Sequence, residues 1–148
     1  MPLRRLRASD VASLATWVPS IASAIGQDQW SREGALRGAV GESAALLYSD
    51  EAGEAFIAYE IDVPTANAAR IELLAVAVSQ RRLGIGGHAA IALEKRLART
   101  AQRIYVTVPS AIGIALYFWL RLGYRPLMQH EWPTPLTGNS TWMVRERR

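Results

Sequence analysis

Apolar and polar positions alternate over Pro2–Arg7 with the period of a strand that buries one face. Ser9 or Asp10 then stands where a helix cap belongs, ahead of Val11, Leu14 and Trp17 at helical spacing, and Pro19 marks the expected end. A second helix is predicted from Ser31, because Glu33 then falls in the first turn before Leu36 and Val40. Ala44–Tyr48 and Ala55–Ile61 are short apolar runs, and the acids and glycine of Ser49-Asp50-Glu51-Ala52-Gly53-Glu54 between them read as a hairpin turn. After a loop holding Pro64 and Asn67, the segment Ala69–Val78 is almost continuously apolar, the pattern of a central strand covered on both faces.

From Gly84 the period changes. Gly86, Ala90, Leu93 and Leu97 share one helical face, so a helix is predicted to begin inside a glycine-rich loop. Ile104–Val108 is a strand, and Pro109-Ser110 opens another helix that Gly123 should end. Arg121 is the only charge between Ile112 and Leu122, so that helix is expected to be largely buried. Tyr124–Met128 and Thr141–Arg145 read as closing strands around the loop Pro133–Asn139. The order β-α-α-β-β-β-α-β-α-β-β predicts an α/β fold, with a mixed central sheet of about seven strands and about four helices on its two faces.

Composition narrows the function. A chain of 148 residues that is 50% hydrophobic suits a single domain over residues 1–148. No apolar run approaches the roughly 20 residues needed to cross a bilayer, and Met1–Arg7 lacks the apolar core of a signal peptide. A soluble cytoplasmic protein with no membrane partner is therefore expected. The absence of cysteine excludes disulfides, thiolate metal sites and a cysteine nucleophile, and with only His88 and His130 a metal site is not expected. Both histidines read as surface or cap residues. A net charge of +4 and a pI near 10.0 suit an anionic partner. Part of that charge lies in Arg145-Glu146-Arg147-Arg148, read as a solvated tail, and the rest is dispersed on no recognisable reading helix, so no nucleic-acid partner is expected.

The basic residues that matter chemically lie in Arg81-Arg82-Leu83-Gly84-Ile85-Gly86-Gly87. Glycines between a strand and a helix start let backbone N–H groups approach a ligand, and the helix dipole favours negative charge there. This is the composition of a phosphate cradle, to which Arg81 and Arg82 add side-chain charge. Gly84–Ala89 also satisfies the dinucleotide pattern G-x-G-x-x-A. Three features argue against that reading: Ser79–Leu83 intervenes between strand and glycine, the next strand ends in Thr107-Val108-Pro109-Ser110 without an acid for a ribose, and the motif starts past mid-chain.

Two blocks together point further. Leu74-Ala75-Val76, followed five residues on by Arg81-Arg82-Leu83-Gly84-Ile85-Gly86, resembles the strand and R/Q-x-x-G-x-G/A loop of the GNAT acyltransferases. Ala115, Phe118, Gly123 and Tyr124 resemble that family's second block, A-x-x-(F/L)-Y-x-x-x-G-(F/Y), and the specific matches run from Leu73 to Tyr124.

The resemblance implies a sheet splayed between the Leu74 and Ile104 strands, with the pantetheine arm of acetyl-coenzyme A added as a pseudo-strand. It implies cofactor contacts from Leu74, Ala75, Val76, Arg81, Arg82, Leu83, Gly84, Ile85, Gly86 and Gly87, with the Val76 N–H polarising the thioester carbonyl. The acceptor would be a primary amine of a small molecule or peptide. Because free amines are mostly protonated at neutral pH, a base must act first. Glu72, on the same strand face as Leu74 and Val76, is the first candidate; it reads equally as an ion-paired residue at a strand end, and Glu60 and Asp62 are reserves. Where the family usually carries a tyrosine that protonates the departing thiolate, this chain has Trp119, whose indole gives up no proton at neutral pH. Tyr117 is close in sequence but about 200° around the helix. Ile112 replaces the family's asparagine. Trp17, Trp30, Trp132 and Trp142 are expected in the core, though Trp30 and Trp132 fall in segments that wall the acceptor site in the family. Acetyl transfer is the first reading, a non-catalytic coenzyme A-binding sensory module the alternative. A homodimer through the last strand is compatible with both.

Overall fold

The computed structural model describes residues 2–77, 84–110 and 112–146. Its strands are β1 (Leu3–Arg5), β2 (Ala45–Asp50), β3 (Gly53–Ile61), β4 (Ala68–Val76), β5 (Arg103–Pro109), β6 (Arg125–Pro126) and β7 (Ser140–Glu146). Its helices are α1 (Val11–Leu14), α2 (Val18–Ala24), α3 (Glu33–Gly38), α4 (Ile85–Arg96) and α5 (Gly113–Arg121). The strands form one seven-stranded sheet in the order β1-β2-β3-β4-β5-β7-β6. β4 and β5 run parallel, whereas β1–β2, β2–β3, β5–β7 and β6–β7 are antiparallel, so the sheet is mixed as the element order predicted. No helix among the described residues is long and apolar enough to cross a membrane.

The chain divides into two compact units, the first formed by Met1–Tyr59 with Leu73–Lys95. Its core joins Val11, Leu14, Val18 and Leu36 from the N-terminal helices to Leu47, Phe56 and Leu73 from the strands. Leu46 and Ile57, which alternation sends to the other face of β2 and β3, are also fully buried, so both faces of this hairpin are covered. The hairpin closes tightly, with Asp50 opposite Gly53 and the Asp50 Oδ1 accepting the Ala52 N–H at 2.7 Å. That side-chain bond mimics a backbone turn, which is why an aspartate suits the position.

The expected single helix through Trp17 is two helices. Trp17 leaves helical geometry at φ −138°, and Pro19 lies in the first turn of α2, where its missing N–H costs no hydrogen bond. The proline read as a stop is a start. On β4, Ile71, Leu73 and Ala75 are buried while Arg70, Glu72, Leu74 and Val76 are half-buried, so one face is sealed and the other partly open.

The second unit comprises Glu60–Glu72 with Arg96–Arg148. All seven residues of β5 pair with β7, from Arg103↔Glu146 to Pro109↔Ser140, and Tyr105, Trp142, Val144 and Leu127 pack together on one side. The parallel register of β4 with β5 covers Ala68–Ile71 and Arg103–Val106. The predicted strand Tyr124–Met128 shortens to Arg125–Pro126 because Met128 opens a 3-10 turn that the Glu131 Oε1 caps by accepting the Met128 N–H at 3.0 Å.

A further expectation is overturned. Helix α5 is not largely buried: Trp119 is its only buried residue, whereas Ile114, Tyr117 and Leu120 are 82%, 61% and 43% exposed. Uncharged residues cover its whole circumference, so apolar character alone did not reveal which face packs.

Candidate active site

The glycine-rich corner is built from its helix. Gly84 adopts φ +79°, a left-handed conformation that a side chain resists, and α4 begins at the next residue. Ile85, 1% exposed, anchors the first turn, and the His88 N–H bonds the Gly84 carbonyl at 3.0 Å. The N–H groups of Ile85, Gly86 and Gly87 precede that bond and are the ones a helix start offers to a ligand. Arg81, Arg82 and Leu83 lie outside the described residues.

A polar chain adjoins the corner. The Tyr48 hydroxyl donates to the Asp50 Oδ2 at 2.8 Å, and the His88 Nδ1 lies 3.6 Å from the same oxygen. The Tyr48 bond and the Ala52 N–H hold the Asp50 carboxyl below the usual carboxylate range, while burial and the neighbouring Asp50 push the Tyr48 phenol up. His88 is 59% exposed, in keeping with a surface position, and its ring is the nearest group to the space beside Gly84: a Cβ built there would stand 3.7 Å from Cε1. Sequence reading assigned Asp50 only a turn role, since the hairpin brings it to a helix far along the chain.

On β4, Glu72, Leu74 and Val76 share the half-buried face, as alternation predicts, and Ala75 faces the sealed side. Of the reserve bases, Glu60 is half-buried, whereas Asp62 is committed to its loop, its Oδ1 accepting the Asn67 N–H at 3.0 Å. Trp119 and Tyr117 take different faces of α5. The Trp119 ring lies edge-on to Phe118 and Tyr124 at 5.0 and 4.9 Å, whereas the exposed Tyr117 ring lies beneath Arg121 at 5.7 Å. Trp30 and Trp17 are half-buried against the first core, Trp132 is half-buried against the second, and Trp142 lies within it.

Arg70 was not singled out by sequence, where it is an isolated charge in an apolar strand. Its Nη2 donates to the Thr107 Oγ1 at 3.1 Å, its guanidinium carbon lies 5.5 Å from the Trp142 ring centroid, and its Nε is buried without a partner. Among the described residues no group of three or more histidine, aspartate or glutamate side chains is placed to hold a metal ion.

No protein-family model matches the chain, and no curated protein matches it in sequence. Its likeness is structural. An acetyltransferase from Thermus thermophilus superposes with a TM-score of 0.74 at 19% identity, over 99% of this chain and 97% of that one. The PaiA N-acetyltransferase of Thermoplasma acidophilum, solved in complex with coenzyme A, gives 0.74 at 14% identity over 97% of each chain. A GNAT-family acetyltransferase from Staphylococcus aureus gives 0.70 at 16% identity over 99% of this chain and 98% of that one. In its mixed seven-stranded sheet, its helices and its end-to-end likeness to these structures, the chain has the fold of the GNAT acyltransferases.

Proposed function

We propose that this chain is an acetyl-coenzyme A-dependent N-acetyltransferase, one domain over residues 1–148 acting in the cytoplasm on a primary amine. The observation that carries the reading is the corner where β4 leads through Gly84, at φ +79°, into α4, on a fold otherwise seen in acetyltransferases. The described part of that corner fits a pyrophosphate, since its first helical turn is glycine-rich and presents N–H groups. In this reading Gly84, Ile85, Gly86 and Gly87 hold the pyrophosphate together with Arg81, Arg82 and Leu83, and Leu74, Ala75 and Val76 hold the pantetheine and thioester. The amine nitrogen attacks the thioester carbon while the Val76 N–H stabilises the oxyanion, the C–S bond breaks, and the nitrogen gives up a proton. Glu72, half-buried on the Leu74–Val76 face, takes that proton, directly or through water.

Coenzyme A leaves as a thiolate whose conjugate acid has a pKa of about 8.5, so water suffices to protonate it. Trp119, packed edge-on between Phe118 and Tyr124, is then a structural residue, and the exposed Tyr117 is dispensable. The burial of an indole where the resemblance places a phenol also favours a second reading, a module that binds coenzyme A without turnover.

The test is thiol release from acetyl-coenzyme A against a panel of amines, with calorimetric cofactor binding and Gly86→Trp as the control that blocks the corner. Turnover and binding by the wild type, with neither in the variant, sustain the acyltransferase. In that case Glu72→Gln should lower kcat about 100-fold or more, whereas Trp119→Phe and Tyr117→Phe leave it within about threefold. Tight binding with no thiol release from any amine selects the sensory module, and absence of binding overturns both.

A further inference from the structure

We propose that His88, positioned by Asp50, is an anion-binding residue of the glycine corner, so that the chain takes up a proton when it captures the cofactor's pyrophosphate and binds it more weakly as pH rises; this deepens the acyltransferase reading and rests on it for the identity of the anion.

His88 follows Gly84 by four residues, a spacing that puts both on one helical face, and a helical side chain leans toward the N-terminus of its own helix. The imidazole accordingly lies over Gly84, where a built Cβ would stand 3.7 Å from Cε1 and 3.8 Å from Nε2. Its other nitrogen, Nδ1, turns to the end of β2, 3.6 Å from the Asp50 Oδ2, an oxygen that also accepts the Tyr48 hydroxyl at 2.8 Å. Tyr48, Asp50, Gly84 and His88 all belong to one compact unit, Met1–Tyr59 with Leu73–Lys95. With 59% of its side chain exposed, the ring is within reach of a ligand arriving from solvent at the first turn of α4.

A carboxylate beside Nδ1 favours the neutral tautomer with its proton there, which leaves a lone pair on Nε2 beside the corner. Neutral His88 therefore offers an anion no donor at Nε2, whereas the imidazolium offers an N–H and a positive charge. Asp50 is ionised wherever imidazoles titrate, since the Tyr48 hydroxyl first, and then the Ala52 N–H, hold its carboxyl below the usual range. It favours the charged ring, and so do Glu51 and Glu54 of the same hairpin, whereas the positive end of α4 opposes it. A phosphate at the helix start cancels that opposition and draws the proton on. Nothing else near the ring supplies a charge change over the same range. Tyr48 keeps its proton, its phenol being pushed up by burial and by Asp50, and along α4 no residue from Ile85 to Leu93 other than His88 is titratable. Arg81 and Arg82, in the segment before Gly84 and outside the described residues, stay charged at every pH concerned. The gain in affinity is full below the pKa of the ring in the free chain and is lost as pH rises through the higher value in the complex.

The chain has two histidines, so both rings can be followed by NMR in the whole wild-type chain, His88 assigned by the loss of its signals in His88→Gln and His130 serving as the internal control. Adding acetyl-coenzyme A at about pH 7 should move the His88 ring signals to their protonated position and leave those of His130 where they were. Calorimetry of the same binding in buffers of different ionisation enthalpy should find the wild type taking up a larger fraction of a proton than His88→Gln. From about pH 5.5 to 8, the affinity of the wild type should fall roughly 10-fold more than that of the variant, the ligand's own titrating phosphate being common to both. Asp50→Asn should shift that fall to lower pH, because the charged ring loses its neighbouring carboxylate. Binding with the His88 signals unmoved, or the same pH dependence in the wild type and His88→Gln, overturns the proposal and leaves the acyltransferase reading standing. A His88 response to inorganic phosphate with none to acetyl-coenzyme A overturns the cofactor as the occupant and the acyltransferase reading with it.

Discussion

Asp10 shows how much a single side chain organises. Its Oδ1 and Oδ2 accept from Nη2 and Nη1 of Arg4, both at 2.9 Å, and Oδ2 also accepts the Arg7 N–H at 2.7 Å, so one carboxylate ties β1 to the start of the helical segment. The Arg4 bonds first, and then the Arg7 N–H, hold the Asp10 carboxyl below its ordinary value despite partial burial. A depressed carboxylate stabilises the fold fully above its unfolded pKa of about 3.9, and that contribution is lost as pH falls through the lower folded value. Asp10→Asn is expected to cost about 2 kcal/mol at neutral pH, and the gap from wild type should close as pH drops below about 4, read by urea titration across pH. The sequence offered Ser9 or Asp10 as the cap of the first helix, whereas the Asp10 side chain makes no bond to α1 and turns back to the Arg7 N–H ahead of the 3-10 turn Ala8–Asp10. The sequence concealed Arg4 as the partner, since nothing in Leu3-Arg4-Arg5 distinguishes the arginine that turns inward.

At the scale of elements, local chemistry was legible and packing was not. Gly123 at φ +93° ends α5 with its N–H on the Leu120 carbonyl and the Tyr124 N–H on the Trp119 carbonyl, each at 3.0 Å, the paired bonds of a left-handed helix stop. Only glycine adopts that conformation freely, which is why its position announced the helix end. Gly123→Ala should lower stability by about 1–2 kcal/mol, a fall of several degrees in Tm by calorimetry, with α5 helicity retained. The break between α1 and α2 and the brevity of β6 left no such mark. They depend on where Trp17 and Met128 settle against the rest of the chain. The same holds for α5, whose exposed Ile114, Tyr117 and Leu120 are indistinguishable in sequence from buried residues.

Over the whole molecule, element order alone foretold a mixed sheet, and the glycine corner foretold the fold, because two short blocks at fixed spacing constrain it more than composition does. Arg70 stayed hidden, since its significance lies in contacts with Thr107 and Trp142 from distant strands. The complete lack of cysteine bears on the kinetics of the proposed acetyl transfer, since no thiol is available to carry the acyl group between substrates. Initial-velocity plots in both substrates should therefore intersect rather than run parallel, and mass spectrometry after mixing with acetyl-coenzyme A alone should find the chain at its unmodified mass. Parallel plots or an added acetyl mass would refute direct attack.

The placement of β7 between β5 and β6 bears on how the protein is made. β5 leaves the ribosome well before residues 140–146, which supply all seven of its antiparallel partners. Until they are translated, that edge is an open template for any passing strand, and a pause in elongation after α5 would lengthen the exposure. A chaperone that shields the β5 edge during synthesis would therefore protect the yield of folded chain without touching the finished protein.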